Sequence, residues 1–588
     1  MVVLAEEAAS AALAVVASVV AVPAEAGSTV LFLSHYVRFL LSPRGEEAVT
    51  LSEETSFFGV NYTLPFAHAF RAAGYLGADR KAAIDRDVYH FARLGLNAYR
   101  IHVWDVEITD SLGNLIENEH LDLLDYLIAR LAERNIRSLI TAQTNFGNGY
   151  PERNRQTGGF SCQYDRCSVH ADPAALAAQE RYLGALVRHV NPYTGKTYLD
   201  DPCIVGFELN NEPCHAGTRE QTRAYINRML LALKLAGNCK PVFYNVSHNL
   251  QQAGAYFSTD IQGTTYQWYP SGLVAGHTRK GNFLPHVDAY PIPFDSIPAC
   301  QQKARLVYEF DAADLTGTYI YPAMARSFRT AGFQWITQFA YDPLELAAYN
   351  TEYQTHYLNL VYTPRKALSL MIAAQAAYRL PRGADFGSYP QDTLFGDFRV
   401  SYKEDLSVLN SGDRYYYSNH TNTVPVNPAG LESVAGWGCS PLVQYEGTGA
   451  YLLDRLEEGV WRLELMPDAV QLTDPFAKTS FSREVVRIIH GEWDMTLCLP
   501  DLGGVFTVKG LNECNPVRQK CSGGLIRLLK PGVYLLQREG LKPRGNWNSD
   551  SFWKQIRLGE YVVPEKPACL RRDVLVHQAR ETAEAGTP

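Results

Sequence analysis

The chain has 588 residues, more than one compact core holds, which implies two or three domains. Hydrophobic residues make up 46% of it, ordinary for a globular protein. The formal net charge of -8, without clustered Lys and Arg, excludes a nucleic-acid partner, whose phosphate backbone needs such clusters.

Residues 1–45 read as an N-terminal leader or extension. The stretch 8–22 is small and mostly apolar, and Ala24-Glu25-Ala26 has the spacing of a signal-peptidase site, yet Glu6 and Glu7 stand where a leader carries Lys or Arg. Two locations follow: export to a periplasmic or extracellular space on a weak leader, or the cytoplasm. The apolar run is too short and too Ala-rich for a stable membrane span.

Over 46–382 short β-like runs alternate with amphipathic stretches, the pattern of parallel βα units. Strands are expected at 58–62, 98–104, 137–143, 204–209, 242–246, 263–268, 305–310 and 333–339. Eight such strands make a (β/α)8 TIM barrel, with the site at the carboxyl ends of the strands. Helices are expected at 119–133, where Leu121, Leu124, Leu127, Ile128 and Leu131 share one stripe, and at 174–189. Long connections at 144–172 and 269–304 shape the barrel's mouth. From 383 to 588 the runs at 398–402, 414–417, 461–465 and 534–537 indicate a C-terminal all-β, sandwich-like accessory domain. The charged stretch after Leu570 reads as a terminal helix or a frayed end.

Eleven cysteines are spread thinly. Cys162 with Cys167, and Cys514 with Cys521, would each close a short loop in an oxidising compartment. Neither pair has a neighbouring His or Cys at zinc-ligand spacing, so no metal is implied.

The chemistry concentrates at two strand ends. The fourth strand runs into Asn211-Glu212-Pro213, where proline stops the sheet and leaves a carboxylate at the barrel's rim. Leu306-Val307-Tyr308-Glu309-Phe310, on the seventh strand, ends on a second glutamate. Two facing carboxylates about 5 to 5.5 Å apart are what retaining glycoside hydrolysis needs, one as nucleophile and one as acid then base.

Residues 191–202, reading Asn-Pro-Tyr-Thr-Gly-Lys-Thr-Tyr-Leu-Asp-Asp-Pro, and the following 206–213 resemble the fourth-strand region of clan A glycoside hydrolases. The resemblance is closest to family five with its mannanases and cellulases, and the order of strands extends it from about Gly59 to Ala377. It implies Glu212 as general acid/base, Glu309 as nucleophile, and Asn211 on the sugar 2-hydroxyl. It also implies that Arg100, on the second strand, steadies the nucleophile and lowers its pKa, and that Trp335 floors the subsite of the reacting sugar. Tyr266 or Tyr269 would hydrogen-bond the nucleophile, although the chain reads Tyr266-Gln267-Trp268-Tyr269 where the family has His-x-Tyr. His102, Trp104, Asn145 and His248, all near expected strand ends, complete the set of candidate substrate contacts. Glu208 is set aside, because strand alternation turns it to the opposite face.

The expected activity is a retaining β-glycosidase acting on β-mannosides, or on related glucosides and galactosides, of an oligo- or polysaccharide, with no cofactor. The long loops and the appended β domain favour a pocket for terminal sugars. The alternatives are a transglycosylase sharing the covalent intermediate and a non-catalytic carbohydrate-binding barrel. Oligomeric state is not legible.

Overall fold

The computed structural model describes residues 56–144, 158–247 and 249–564. The expected leader at 1–45, the candidates Asn145 and His248, and the tail after Leu570 lie outside the described residues.

Eight parallel strands close into a barrel in chain order: β1 (Phe57–Asn61), β2 (Ala98–His102), β3 (Arg137–Gln143), β4 (Ile204–Asn210), β5 (Val242–Asn245), β6 (Gly263–Trp268), β7 (Ala304–Phe310) and β8 (Trp335–Gln338). The ring closes where β1 pairs with β8, from Phe57 opposite Trp335 to Val60 opposite Gln338. β2 stops at His102, two residues short of expectation, because Trp104 already caps a short helix, Asp105–Ile108. Gly59 is required in β1: a Cβ there would meet the Ala98 carbonyl oxygen at 1.7 Å.

The outer layer follows the hydrophobic stripes. α1 (Glu119–Glu133) buries Leu121, Leu124, Leu127, Ile128 and Leu131, and the Asn118 side chain caps it by accepting from Leu121 N–H. α2 (Pro173–Arg188) begins where Asp172 accepts from the N–H groups of Ala174 and Ala175. Among the described residues no helix is long and apolar enough to cross a membrane.

Phe57, Ala98, Leu139, Val205, Phe243, Leu306 and Trp335 form one cluster from the amino-terminal parts of the strands. It plugs the barrel floor, opposite the end where Glu212 emerges.

Beyond α3 (Pro364–Arg379) the chain forms a thirteen-stranded sheet and two two-stranded ribbons. All neighbours in the large sheet are antiparallel except Arg414–Tyr417 beside Ser433–Gly436. The sheet folds back on itself: Tyr445, on the edge strand, and Tyr451, seven strands away in the ladder, have ring centroids 5.7 Å apart. That is the sandwich-like character read in the sequence. A buried charge cluster joins it to the barrel, with Arg93 bridging Glu464 at 2.6 Å and Asp454 at 2.8 Å while Arg462 meets the same Glu464 at 2.7 Å.

Cys167 is bonded to Cys214, not to Cys162. Cys514 is exposed and Cys521 is buried in the sheet, and neither is in a disulfide. Nearness in sequence misled here: the β4 end carries Cys214 to the loop after β3, with Cα atoms 4.7 Å apart.

Candidate functional site

At the heart of the barrel is Arg100, fully buried on β2. Its Nε and Nη2 donate to Glu208 Oε2 at 3.0 and 2.5 Å, Nη2 also to Asn211 Oδ1 at 2.8 Å, and Nη1 to Asn61 Oδ1 at 3.1 Å and Glu309 Oε1 at 3.3 Å. The guanidinium lies 4.6 Å from the Tyr308 ring centroid. Burial opposes its charge, yet Glu208 and then Glu309 hold its pKa above the ordinary arginine value.

Glu208, set aside on alternation, points into the barrel. Besides Arg100 it accepts from the hydroxyls of Thr141 and Thr265 and from Asn245 Nδ2 at 3.0 Å. A carboxylate so fully supplied with donors anchors Arg100 and has no lone pair left for a ligand.

Glu309 is 6% exposed at the end of β7. Its Oε2 accepts from the Tyr269 hydroxyl at 2.8 Å while Oε1 faces Arg100. Burial pushes its pKa up to about 8, with Arg100 opposing and Glu212 adding to the rise. The adjacent cation was expected to lower it. Arg100 is shared with Glu208, which it meets at shorter range, so burial wins.

Glu212 follows β4 with φ +45°, a left-handed conformation that costs a residue with a Cβ about 1–2 kcal/mol. Such strain persists only where surrounding contacts enforce it. Its Oε1 accepts from the Tyr308 and Ser247 hydroxyls, both at 3.0 Å, and Arg166 Nη2 donates to its backbone oxygen at 2.7 Å. Burial drives the phenols of Tyr269 and Tyr308 well above the usual tyrosine pKa, and the nearby glutamates push further, so both remain donors.

Tyr308 escaped the sequence reading, because in a regular strand neighbours point to opposite faces. The register shifts between Tyr266 and Gln267 against β7, and between Val307 and Phe310 against β8, bend the strand so that Tyr308 and Glu309 both reach the mouth. The same irregularity separates the two tyrosine candidates. Tyr269 reaches Glu309, whereas Tyr266 packs on Tyr290 and Phe294, at 5.8 and 5.1 Å, in the long connection after β6.

Trp335 does not floor a subsite. It opens β8 and sits fully buried in the barrel floor against Phe57 at 5.1 Å. Just past the other end of β8 stands Phe339, with His102 at 5.8 Å, Tyr353 at 5.0 Å and His356 at 5.3 Å. His102 is 3% exposed, burial takes its pKa down to about 3, and its Nδ1 has no hydrogen-bond partner. It is a neutral ring with an unused polar atom. Trp104 is buried beside it at 6.3 Å. Among the described residues no group of three or more His, Cys, Asp or Glu could hold a metal ion.

No family model matches the chain. A curated protein of Arabidopsis thaliana named Mannan endo-1,4-beta-mannosidase 3 is 30% identical over 190 residues, 31% of this chain and 45% of that protein. A rice protein, Putative mannan endo-1,4-beta-mannosidase 5, is 23% identical over 257 residues, 37% of this chain and 52% of its own length. The chain thus spans about half the length of the curated relatives it matches. Solved structures include an endo-beta-1,4-mannanase of Thermotoga petrophila, at 14% identity, 81% of this chain, 98% of that one and TM-score 0.41. A glycoside hydrolase family 5 mannosidase of Rhizomucor miehei has 16% identity, 56% and 97% coverage and TM-score 0.44. Over part of its length the chain is similar to curated mannan endo-1,4-beta-mannosidases, and its barrel is established by its own strand ladder.

Proposed function

We propose that this chain is a retaining β-glycoside hydrolase acting on β-mannosides. The observation that carries the reading is the pair Glu212 and Glu309, on β4 and β7, each held by its own donors and both in contact with the Tyr308 and Arg100 cluster. In the first step Glu309 attacks the anomeric carbon while protonated Glu212 gives its proton to the departing glycosidic oxygen, leaving a glycosyl ester on Glu309. In the second, carboxylate Glu212 takes a proton from water as the water oxygen attacks the same carbon and releases Glu309.

The surroundings suit these roles. Arg100 and Tyr269 donate to Glu309 and favour its ionised, nucleophilic form. The oxygen of Asn211 is taken by Arg100, which turns its amide N–H groups toward a sugar hydroxyl. Phe339 and neutral His102 offer a flat apolar surface and a single polar atom beside the reacting ring. Mannan is the first substrate guess, because both curated relatives carry mannan endo-1,4-beta-mannosidase in their names.

A screen of chromogenic β-glycosides with wild type and Glu309→Ala tests the reading. The variant is expected to lose turnover by orders of magnitude and to regain part of it with azide, which replaces the missing nucleophile. Full activity in the variant refutes the assignment.

A further inference from the structure

Glu212 is gripped from outside its own strand. Arg166, in the chain after β3, sends Nη2 to the Glu212 backbone oxygen at 2.7 Å and lies 3.4 Å from Oε2. The residue after it, Cys167, is bonded to Cys214, two residues beyond Glu212, with Pro213 between them stiffening the link. Asp165 fixes the turn beneath Arg166, its Oδ1 accepting from the N–H groups of Cys167 and Ser168, both at 2.9 Å. Residues 165–168 and 212–214 therefore make one closed frame, covalent on one side and charge-assisted on the other.

The groups facing Glu212 come from four places: Arg166, the Tyr308 hydroxyl and Glu309 on β7, Tyr269 after β6, and the Ser247 hydroxyl after β5. Among the described residues Arg166 is the one cation in direct contact with it. The φ of +45° belongs to the very residue whose carbonyl Arg166 holds.

We propose that Arg166 is a positioning residue for Glu212 and that the Cys167–Cys214 disulfide keeps it in place, so that proton delivery to the leaving-group oxygen depends on the oxidised state of this pair. The inference rests on Glu212 being the acid/base. A dithiol reductant would supply two electrons and two protons, open the disulfide to two thiols and itself become a disulfide. The Arg166 contacts with Glu212 would then hold residues 165–167 to the β4 end without the covalent link.

Leaving groups separate this role from a merely structural one. Dinitrophenolate departs without a proton, whereas phenolate needs one. Kinetics on phenyl and 2,4-dinitrophenyl β-glycosides, of the sugar series the wild type hydrolyses, compare the two within a single preparation, so partial misfolding lowers both alike and leaves their ratio unchanged. Arg166→Met is expected to lower kcat/KM about tenfold on the phenyl substrate, the scale of one charge-assisted hydrogen bond, and less than about twofold on the dinitrophenyl one. Arg166→Lys should recover part of the loss. The double variant Cys167→Ser/Cys214→Ser, and wild type reduced with dithiothreitol, should follow Arg166→Met. Equal losses on both substrates, or none on either, overturn the proposal. Glu212→Ala run in parallel tells the two failures apart: a selective loss there without one in Arg166→Met sinks this inference alone, and no selective loss in Glu212→Ala sinks the acid/base reading beneath it.

Discussion

Replacing Glu208 with Gln probes the electrostatic keystone of the barrel without changing its shape. Glu208 Oε2 takes the two Arg100 bonds and the Thr141 hydroxyl, while Oε1 takes Asn245 Nδ2 and the Thr265 hydroxyl. A glutamine with its oxygen toward Arg100 turns its NH2 toward Asn245. Asn245 Oδ1 is buried with no partner, so a flip of that amide converts the clash into a hydrogen bond. The two threonine hydroxyls rotate to suit. What disappears is charge: Arg100 keeps its donors' partners but loses the buried ion pair with Glu208. A hydrogen bond to a charged group contributes about 1.5–3 kcal/mol, so Glu208→Gln should cost about 2 kcal/mol. Glu208→Ala, which also orphans the guanidinium's closest contacts, should cost about 3–5 kcal/mol. Urea unfolding followed by tryptophan fluorescence measures both. Activity should fall through kcat with KM little changed, because Arg100 bonds Glu309, the proposed nucleophile. If both variants unfold within about 0.5 kcal/mol of wild type, the size of an ordinary surface substitution, Glu208 does not hold Arg100 as described.

Tyr269→Phe removes the hydroxyl 2.8 Å from Glu309 and should lower kcat at least about tenfold with a small change in KM, read from steady-state kinetics. Trp335→Phe should cost stability and leave KM unchanged, whereas Phe339→Ala should raise KM, and the opposite pattern would return Trp335 to the subsite. The Glu309 pKa, raised by burial to about 8, makes the folded state hold a proton that the unfolded chain releases near the ordinary glutamate value. Its stabilising contribution is therefore complete at low pH and is lost as pH rises through about 8. Chemical denaturation from pH 4 to 9 should show Glu309→Gln gaining on wild type toward the alkaline end, and parallel curves would contradict the burial argument.

The frame of the site was legible because its signals are local. Apolar runs stopped by Asn-Glu-Pro at Glu212, and by Glu309 before Phe310, mark strand ends whatever lies around them, and Arg100 stands out as a cation within an apolar run. Tyr308 and Glu208 were hidden for different reasons: the register shifts around β7 break the strict alternation that assigns faces, while the inward side of β4 admits a carboxylate because Arg100, Asn245 and two threonines converge on it from other strands. Trp335 and Phe339 lie four residues apart at opposite ends of β8, and composition alone does not say which end of a strand faces the ligand. The Cys167–Cys214 bond depends on how two loops meet, which sequence spacing does not encode.

The central claim is that Glu309 forms a covalent bond to the sugar. Incubation of the whole enzyme with a 2-deoxy-2-fluoro-β-mannosyl fluoride, which forms the glycosyl ester and then hydrolyses slowly, followed by proteolysis and mass spectrometry, reads that bond directly. The account predicts one fluoromannosyl group per chain, on the peptide carrying Glu309, and none in Glu309→Ala. A label on Glu212 or Glu208 instead, or steady turnover of β-mannosides with no label formed, would contradict it.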